Sequence, residues 1–86
     1  MADFKCEVLK VFWSSEPDKK GNRLDIRVVR WGDNGAPVLE KRRMWHDEDT
    51  ETDMARKLVG FGVEDVAIIA ANLKEITQLL EESPNG

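Results

Sequence analysis

Two tryptophans lie among basic residues in one short stretch of the chain. Residues 27–45 read RVVRWGDNGAPVLEKRRMW, with Trp31 and Trp45 on either side of a turn sequence and arginine or lysine beside both. An exposed indole is a flat surface on which an unpaired nucleobase stacks, and a nearby cationic side chain neutralises a phosphate. Duplex DNA suits this combination less well, because its bases are already stacked on each other. These residue types therefore predict a surface for a single-stranded nucleic acid.

The parts of the chain that must position these residues are predicted to be four strands and one helix. Asn34 and Gly35 favour positive φ and predict a hairpin turn between the second and third strands. Charged segments without periodicity predict exposed loops at residues 14–22 and 46–55. Strands are predicted where β-branched and aromatic residues concentrate, at residues 4–13, 24–31, 38–45 and 56–62.

Residues 63–82 predict a single long helix. Acidic Glu64 and Asp65 suit the positive end of its dipole. Apolar residues recur at alternating spacings of three and four, at Val66, Ile69, Leu73, Ile76 and Leu80. Such a helix is roughly 30 Å long, which is more than a four-stranded sheet needs as a cover. Two arrangements stay open: the apolar stripe packs within its own subunit, or part of it pairs with a second subunit.

The length of the chain predicts one domain covering residues 1–86. A domain of this size buries only about 60–65% of the surface of its unfolded chain, so association with a second copy is expected. The net charge of −4 divides into +3 for residues 1–45 and −7 for residues 46–86. The first half is therefore the part that would face a polyanion.

The register of the hairpin decides which side chains share a face, because side chains alternate between faces along a strand. A two-residue loop makes the numbers of opposite residues sum to 69 and places Trp31 and Trp45 on opposite faces. A loop of three or five residues makes the sum 70 and separates the side chains more cleanly, so we predict that register. Arg30 then lies opposite Glu40. One face is apolar, with Leu24, Ile26, Val28, Val38 and Met44; the other carries Arg27, Trp31, Lys41, Arg43 and Trp45.

Three interpretations of the tryptophan face stay open at this point. It binds a single strand, it is an ordinary surface on which aromatic and basic side chains stabilise each other, or it is a protein interface. Single-strand binding depends on both indoles projecting from one exposed face. Lys20, in the first loop, would extend the basic track.

Catalytic and metal-binding chemistry is not predicted. His46, the single histidine, begins the acidic segment 46–53, which indicates a solvated loop rather than a metal site because tight sites need ligands on fixed elements. Cys6 is the only cysteine and predicts a packed thiol. The sequence has no glycine-rich phosphate loop and no nucleophile beside a base. We expect neither an enzyme nor a cofactor.

The expected location is inside the cell. A lone cysteine fits a reducing compartment, and the sequence offers no apolar run for a membrane span or signal peptide. We expect a cytoplasmic protein, associated with the nucleoid if the source is bacterial and nuclear if it is eukaryotic.

The order of the motifs resembles the single-stranded-DNA-binding domain of the transcriptional coactivator positive cofactor four, in particular its small bacterial relatives. The similarity covers roughly residues 4–80. LDIRVVRW at 24–31 is similar to the second strand and basic hairpin of that family, RRMW at 42–45 to its arginine-then-aromatic signature, and RKLVGFGVED at 56–65 to its short strand leading into an acidic helix start. The chain departs from the family at Leu58, where a glycine is usual, and at Asp33 in the turn, where lysine is frequent.

The resemblance implies an α+β fold in which a curved four-stranded antiparallel sheet precedes one long C-terminal helix, in the order β-β-β-β-α, with two subunits paired through their helices. It implies that Trp45 stacks on bases, that Arg43 is the adjacent basic contact (Arg42 if the register slips by one), and that Lys57 matches the lysine before the fourth strand.

Two functions are therefore expected as alternatives. The first is a homodimeric protein that binds single-stranded DNA with little sequence preference, resembles a transcriptional coactivator, and acts in transcription, replication or repair. Its partners would be single-stranded DNA, a second copy of itself and the transcription machinery, with RNA left open. The second is a protein-interaction module that uses the acidic helical half and binds no nucleic acid.

Overall fold

Four antiparallel strands and then two helices make up the fold in the computed structural model, which describes residues 6–32 and 35–82. The strands pair in chain order, β1-β2-β3-β4, in one open sheet. This confirms the α+β class and the antiparallel sheet. The elements are β1 (Cys6–Ser14), β2 (Arg23–Trp31), β3 (Pro37–Asp47), β4 (Thr52–Leu58), α1 (Val63–Ala71) and α2 (Leu73–Leu80).

The last hairpin differs from its prediction. Residues 46–55, expected as a loop, contain the end of β3 and the start of β4, and only the segment between Asp47 and Thr52 turns. Predicted strand 56–62 accordingly begins earlier, at Thr52, and residues 59–62 are the link to α1. Charged cross-strand contacts hold this ladder: His46 lies opposite Asp53, and their side chains hydrogen-bond at 2.8 Å. Periodicity of apolar residues does not reveal such a pairing.

The single long helix predicted over residues 63–82 is wrong, because the helix breaks at Asn72. In a continuous helix the carbonyl of Ile68 would accept the N–H of Asn72. Instead that carbonyl accepts the side-chain amide of Asn72 at 2.9 Å, and the Asn72 N–H bonds to the carbonyl of Ile69 at 3.1 Å. A short polar side chain thus competes with the helical backbone. Neither helix of the described chain has the length and apolar character needed to span a membrane.

The helices lie across one face of the sheet, with α2 over β2 and β3. Ile26 and Val28 of β2 are completely buried, as is nearly all of Ile76 in α2. Ion pairs connect acidic residues of the C-terminal helical region with basic residues on this face of the sheet. They are Lys10 with Glu75 at 2.6 Å, Lys41 with Asp65 at 2.7 Å and Arg30 with Glu82 at 4.0 Å.

The β2–β3 register differs from both registers considered for the sequence. Opposite residues have numbers that sum to 67, from Arg23 opposite Met44 to Arg30 opposite Pro37, without an irregularity. An odd sum places Trp31 and Trp45 on opposite faces of the sheet. The predicted shared face is therefore wrong, as is the predicted pair of Arg30 with Glu40.

Two features of the hairpin explain this register. First, the connection between Trp31 and Pro37 uses its glycines differently from the prediction: Gly32 has φ of +76°, and a Cβ on Gly35 would lie 2.0 Å from the carbonyl oxygen of Trp31. Residues 33 and 34 of the predicted turn lie outside the described residues. Second, the observed register brings Arg27 directly opposite Glu40, and their side chains pair at 2.9 Å.

Apolar residues are consequently divided between the two faces. Leu24, Ile26 and Val28 project toward the helices as predicted, whereas Val38 and Met44 belong to the opposite face. The face beneath the helices also carries Lys41, Arg43 and Trp45, which alternate with those two residues along β3.

Candidate nucleic-acid interface

Trp45 lies near the end of β3, on the helix-bearing face but exposed. Its side chain is 43% exposed, and the guanidinium of Arg56 stacks over the indole at 4.8 Å from the ring centroid. One side of the ring system thus already carries a positive charge in contact with it. An exposed indole next to a guanidinium is the arrangement that base stacking and phosphate neutralisation require.

A β-bulge in β4 concentrates the cations beside Trp45. The β3–β4 pairing shifts between Arg42 opposite Leu58 and Met44 opposite Ala55, so that Arg43 alone faces both Arg56 and Lys57. Bulges change the direction in which side chains project. Three cationic residues therefore occupy one position of the ladder, two residues along β3 from Trp45.

Lys20 is brought to the same region by the turn between β1 and β2. The Asp18 carboxylate accepts hydrogen bonds from the backbone N–H of Lys20 at 2.8 Å and of Asn22 at 3.0 Å. These bonds lower the pKa of Asp18 and keep its carboxylate ionised, and the bond from the Asn22 N–H has the larger effect. Trp45 lines a cleft of about 440 Å³ together with Lys20, and a second cleft of about 230 Å³ together with Arg43 and Arg56.

The cations around Trp45 are available to a ligand. Within residues 6–32 and 35–82, no carboxylate lies within 4.0 Å of the charged group of Lys20, Arg43, Arg56 or Lys57. Each of these four residues is exposed. They can therefore take phosphate oxygens as partners without first losing an internal ion pair.

Trp31 lies on the other face, in a network that is internal to the fold. Its indole N–H donates to Glu40 at 3.3 Å, and the guanidinium of Arg42 stacks on its ring at 5.0 Å. Glu40 also accepts hydrogen bonds from Arg27 and from two nitrogen atoms of Arg42, each at 2.9 Å. Arg27 is only 3% exposed. Burial alone would raise the pKa of Glu40, but the bonds from Arg42 and Arg27 outweigh it and the pKa is lowered.

Lys41 has a structural partner as well. Its ammonium group lies 2.7 Å from Asp65, which also accepts the N–H of Gly62 at 2.6 Å at the start of α1. These two bonds hold the pKa of Asp65 below its usual value, and the bond from Lys41 has the larger effect. Lys41 therefore fixes the first turn of the helix to the sheet, and its charge is already neutralised.

The structure divides the residues that the sequence singled out. Lys20, Arg43, Trp45 and Lys57 come together in one region, whereas Arg27, Trp31 and Lys41 are used inside the fold. The sequence left open whether Arg42 or Arg43 lies beside Trp45. Arg43 is exposed on the face of Trp45, whereas Arg42 lies on the face of Trp31 and is hydrogen-bonded to Glu40. Arg56 was missed, because its approach to Trp45 depends on the bulge; its place next to Lys57 was the one signal in the sequence.

Acidic residues border one end of this region. Asp47, Glu48 and Asp49 line the cleft that Lys20 and Trp45 also line. Phosphates approaching this end meet like charge, which is unfavourable. The basic surface thus has a defined limit at the turn between β3 and β4.

His46 connects this acidic turn to its neighbours. Its imidazole lies 2.8 Å from Asp53 and 3.2 Å from Glu51, and Asp53 is paired in turn with Arg23. The ring also packs on Gly21, where an added Cβ would lie 3.1 Å from the Cβ of His46. Among the described residues, no group of three or more His, Cys, Asp or Glu side chains is placed to hold a metal ion. The carboxylates here serve as partners of the imidazole.

Comparison of the chain with protein-family models, with curated proteins and with solved structures gives no match in any of the three.

Protonation of His46 is predicted to stabilise the fold. The hydrogen bond to Asp53, and secondarily that to Glu51, raises the pKa of His46 above its ordinary 6.5. A raised pKa in the folded state gives stability that is complete below the ordinary value and is lost as the pH rises through the raised one. The thermal midpoint of the wild type should therefore fall between about pH 6 and pH 8. His46→Gln should flatten this dependence, as followed by circular dichroism.

Glu48→Gln is the matched control, since Glu48 lies in the same turn but is not hydrogen-bonded to His46 among the described residues. It should keep the pH dependence of the wild type. A His46→Gln profile parallel to that of the wild type over this interval would contradict the assignment.

Proposed function

We propose that this protein binds single-stranded nucleic acid, with single-stranded DNA as its main ligand, through Trp45 and the cations around it. The observation that carries the proposal is the combination at one bulge of an exposed indole with cationic groups that have no carboxylate partner among the described residues. Trp31 and the arginines of β2, together with Arg42, are by contrast paired inside the fold.

The geometry suits binding with little sequence preference. A base stacked on Trp45 is held through its π-face, which every base has, while Arg43, Arg56 and Lys20 lie beside the ring and Lys57 adds its charge at the bulge. Phosphate contacts of this kind carry no sequence information. The resemblance of the motif order to positive cofactor four supports a role in transcription, with replication and repair as the alternatives.

The division of the two tryptophans changes how binding is expected to work. A shared platform would have stacked two bases on one subunit, whereas the observed site offers one exposed indole. A modest affinity per subunit follows from one stacked base and a few phosphate contacts. Pairing of two subunits would raise the affinity by linking two sites.

We also propose that two copies of the chain pair through their helices. Val63 is 85% exposed, and Val66 and Leu73 are each 57% exposed, although all three are apolar helical residues. Leu80 continues this stripe at a spacing of seven. Exposed apolar residues grouped along one helical stripe are typical of interaction sites.

The same molecule offers a concave apolar surface that suits such a stripe. A groove of about 700 Å³ opens beside Trp31 and between β3 and the link to α1. Exposed Leu58 and Phe61 form one side of it. Its other lining residues are Val38, Leu39, Glu40, Lys41, Arg42 and Val59. A convex apolar stripe and a concave apolar groove on one chain favour a symmetric pair, in which each copy supplies both surfaces.

The alternative of a protein-interaction module without nucleic-acid binding draws less support from the acidic half. Asp65, Glu75 and Glu82 of that half face sheet cations at ion-pair distances. The feature of the helices that favours a protein partner is their apolar stripe, and a second copy satisfies it.

Removal of the Trp45 ring should weaken binding by the energy of one stacked base. Trp45→Ala is expected to cost about 1–3 kcal/mol, roughly a five- to 150-fold higher Kd for fluorescein-labelled oligo-dT at low salt. Fluorescence anisotropy measures this directly. Trp31→Phe is the control, because Trp31 lies on the opposite face; it should bind with nearly the affinity of the wild type. Failure of the wild type to bind at low salt would refute the proposed function.

The salt dependence of binding should separate Arg43 from Lys41, which lie on the same face of β3. Arg43→Gln is expected to reduce the slope of log K against log salt by about 0.7, the value for one phosphate contact on a single strand. Lys41→Gln should leave the slope unchanged, since Lys41 is paired with Asp65. Equal slopes for wild type and Arg43→Gln would remove Arg43 from the interface.

A charge in the helical stripe should dissociate the proposed dimer. Leu73→Glu buries a carboxylate against apolar partners and is expected to give a monomer at micromolar concentration in sedimentation equilibrium, where the wild type is a dimer. Gln78→Glu introduces the same charge on another side of α2 and should remain dimeric. A monomeric wild type would refute the proposed dimer.

A further inference from the structure

Arg42 uses each of its three nitrogen atoms inside the protein. Its Nε and Nη2 donate to the two oxygen atoms of Glu40, each at 2.9 Å, and its Nη1 donates to the backbone carbonyl of Arg56 at 2.6 Å. Trp31 lies against its guanidinium plane. A phosphate could engage Arg42 only by breaking these contacts, so its charge is not offered to a ligand.

The carbonyl of Arg56 belongs to the bulge that builds the nucleic-acid site. Between the pairs Arg42–Leu58 and Met44–Ala55, β4 has one residue more than β3. A bulge disrupts the regular ladder of hydrogen bonds at that point. The charge-assisted bond from Arg42 takes up the Arg56 carbonyl, and such bonds are stronger than those between neutral groups.

The direction of the Arg56 side chain depends on this backbone. Its guanidinium reaches Trp45 on the face opposite to that of Arg42. Contacts therefore run without a gap from Glu40 through Arg42 to the Arg56 carbonyl, and from the Arg56 side chain to the Trp45 ring. They cross the sheet where the β3–β4 ladder is irregular.

We propose that Arg42 is a positioning residue of the nucleic-acid site: it fixes the bulge of β4 so that Arg56 lies over Trp45, and it does not contact the ligand. This inference rests on the proposed function and deepens it. It gives a separate role to each member of the adjacent pair, with Arg43 as a contact for phosphate and Arg42 as the support of a contact made by Arg56.

Lysine cannot replace arginine in this role although it keeps the charge. An ammonium group is a compact donor and lacks the planar fork that holds both oxygens of Glu40 while a third nitrogen reaches a carbonyl. Arg42→Lys therefore changes position without changing charge, which makes it the variant of choice.

The first experiment measures oligo-dT binding across a series of salt concentrations. Arg42→Lys should raise the Kd roughly two- to fivefold, the size of a lost cation–π arrangement. In the Arg56→Gln background the same change should have no further effect on the Kd or on the salt slope, because the group it positions is absent. A slope reduced by about 0.7 when Arg42→Gln is introduced into the Arg56→Gln background would identify Arg42 as a phosphate ligand and overturn the proposal. Additive losses in the double variant would also overturn it.

The second experiment uses the free protein and does not depend on nucleic-acid binding. In the wild type, the ring current of Trp45 should shift the side-chain protons of Arg56 upfield in the NMR spectrum. Arg42→Lys should abolish the shift, and Arg43→Gln should retain it. If the wild type does not bind oligo-dT, the proposed function fails while this measurement still decides whether Arg42 positions Arg56. Persistence of the shift in Arg42→Lys would overturn the proposal.

A measurement on the wild type covers the case in which Arg42→Lys does not fold, as judged by circular dichroism. In the complex with oligo-dT, intermolecular NOEs are expected to the side chains of Arg43 and Arg56 and not to that of Arg42. An NOE from the oligonucleotide to Arg42 would overturn the proposal.

Discussion

The buried carboxylate of Glu40 is the interaction on which the rest of the structure depends. It is 5% exposed and receives hydrogen bonds from Arg27, Arg42 and the indole of Trp31. A carboxylate removed from water is strongly unfavourable unless its oxygen atoms are matched by donors and opposite charge. Only a register that places Arg27 opposite it, with Arg42 on the same face, supplies that match. The pairing of β2 with β3 is therefore tied to one ionic cluster as well as to apolar burial.

This register distributes the aromatic and basic residues. It retains Trp31, Arg27 and Arg42 as internal partners of Glu40 and leaves Trp45 on the other face. The bulge of β4 then brings to that ring cations that have no carboxylate partner among the described residues. The Trp31 face is thereby engaged inside the fold, whereas the Trp45 face presents its indole and cations to solvent.

The sequence was sufficient for the elements whose patterns are periodic. β-branched and aromatic segments predicted three strands closely, and the apolar stripe predicted the helical region from Val63 onward. The end of β3 and the start of β4 were not predictable in this way, because His46 and Asp53 hold them together by charge. The break at Asn72 depends on one side-chain amide competing with a backbone N–H, which an apolar stripe does not register.

For the candidate site, residue type singled out Trp45, Arg43, Lys57 and Lys20, and the role proposed for Trp45 came from the resemblance of the motif order. The face predicted for Trp31 was wrong, because that prediction depends on the number of residues in the turn. In this turn Gly32 has a positive φ and Gly35 closely approaches the backbone of Trp31. Arg56 required knowledge of a bulge, and bulges have no clear signature in a single sequence. The assignments of side chains to faces failed because they depended on the β2–β3 register, and the observed sum of 67 has the opposite parity to the predicted 70.

The packing of His46 on Gly21 has a consequence for how this sequence can diverge. Gly21 has φ of +86°, a conformation that residues with a Cβ rarely adopt. An added Cβ would also lie 3.1 Å from the Cβ of His46, so the imidazole would have to shift. A larger residue at position 21 would displace the imidazole from Asp53. If position 46 were no longer histidine, the steric part of the requirement for glycine at 21 would disappear. Positions 21 and 46 are thus expected to vary as a pair among descendants of this chain, although one lies in the turn before β2 and the other in β3.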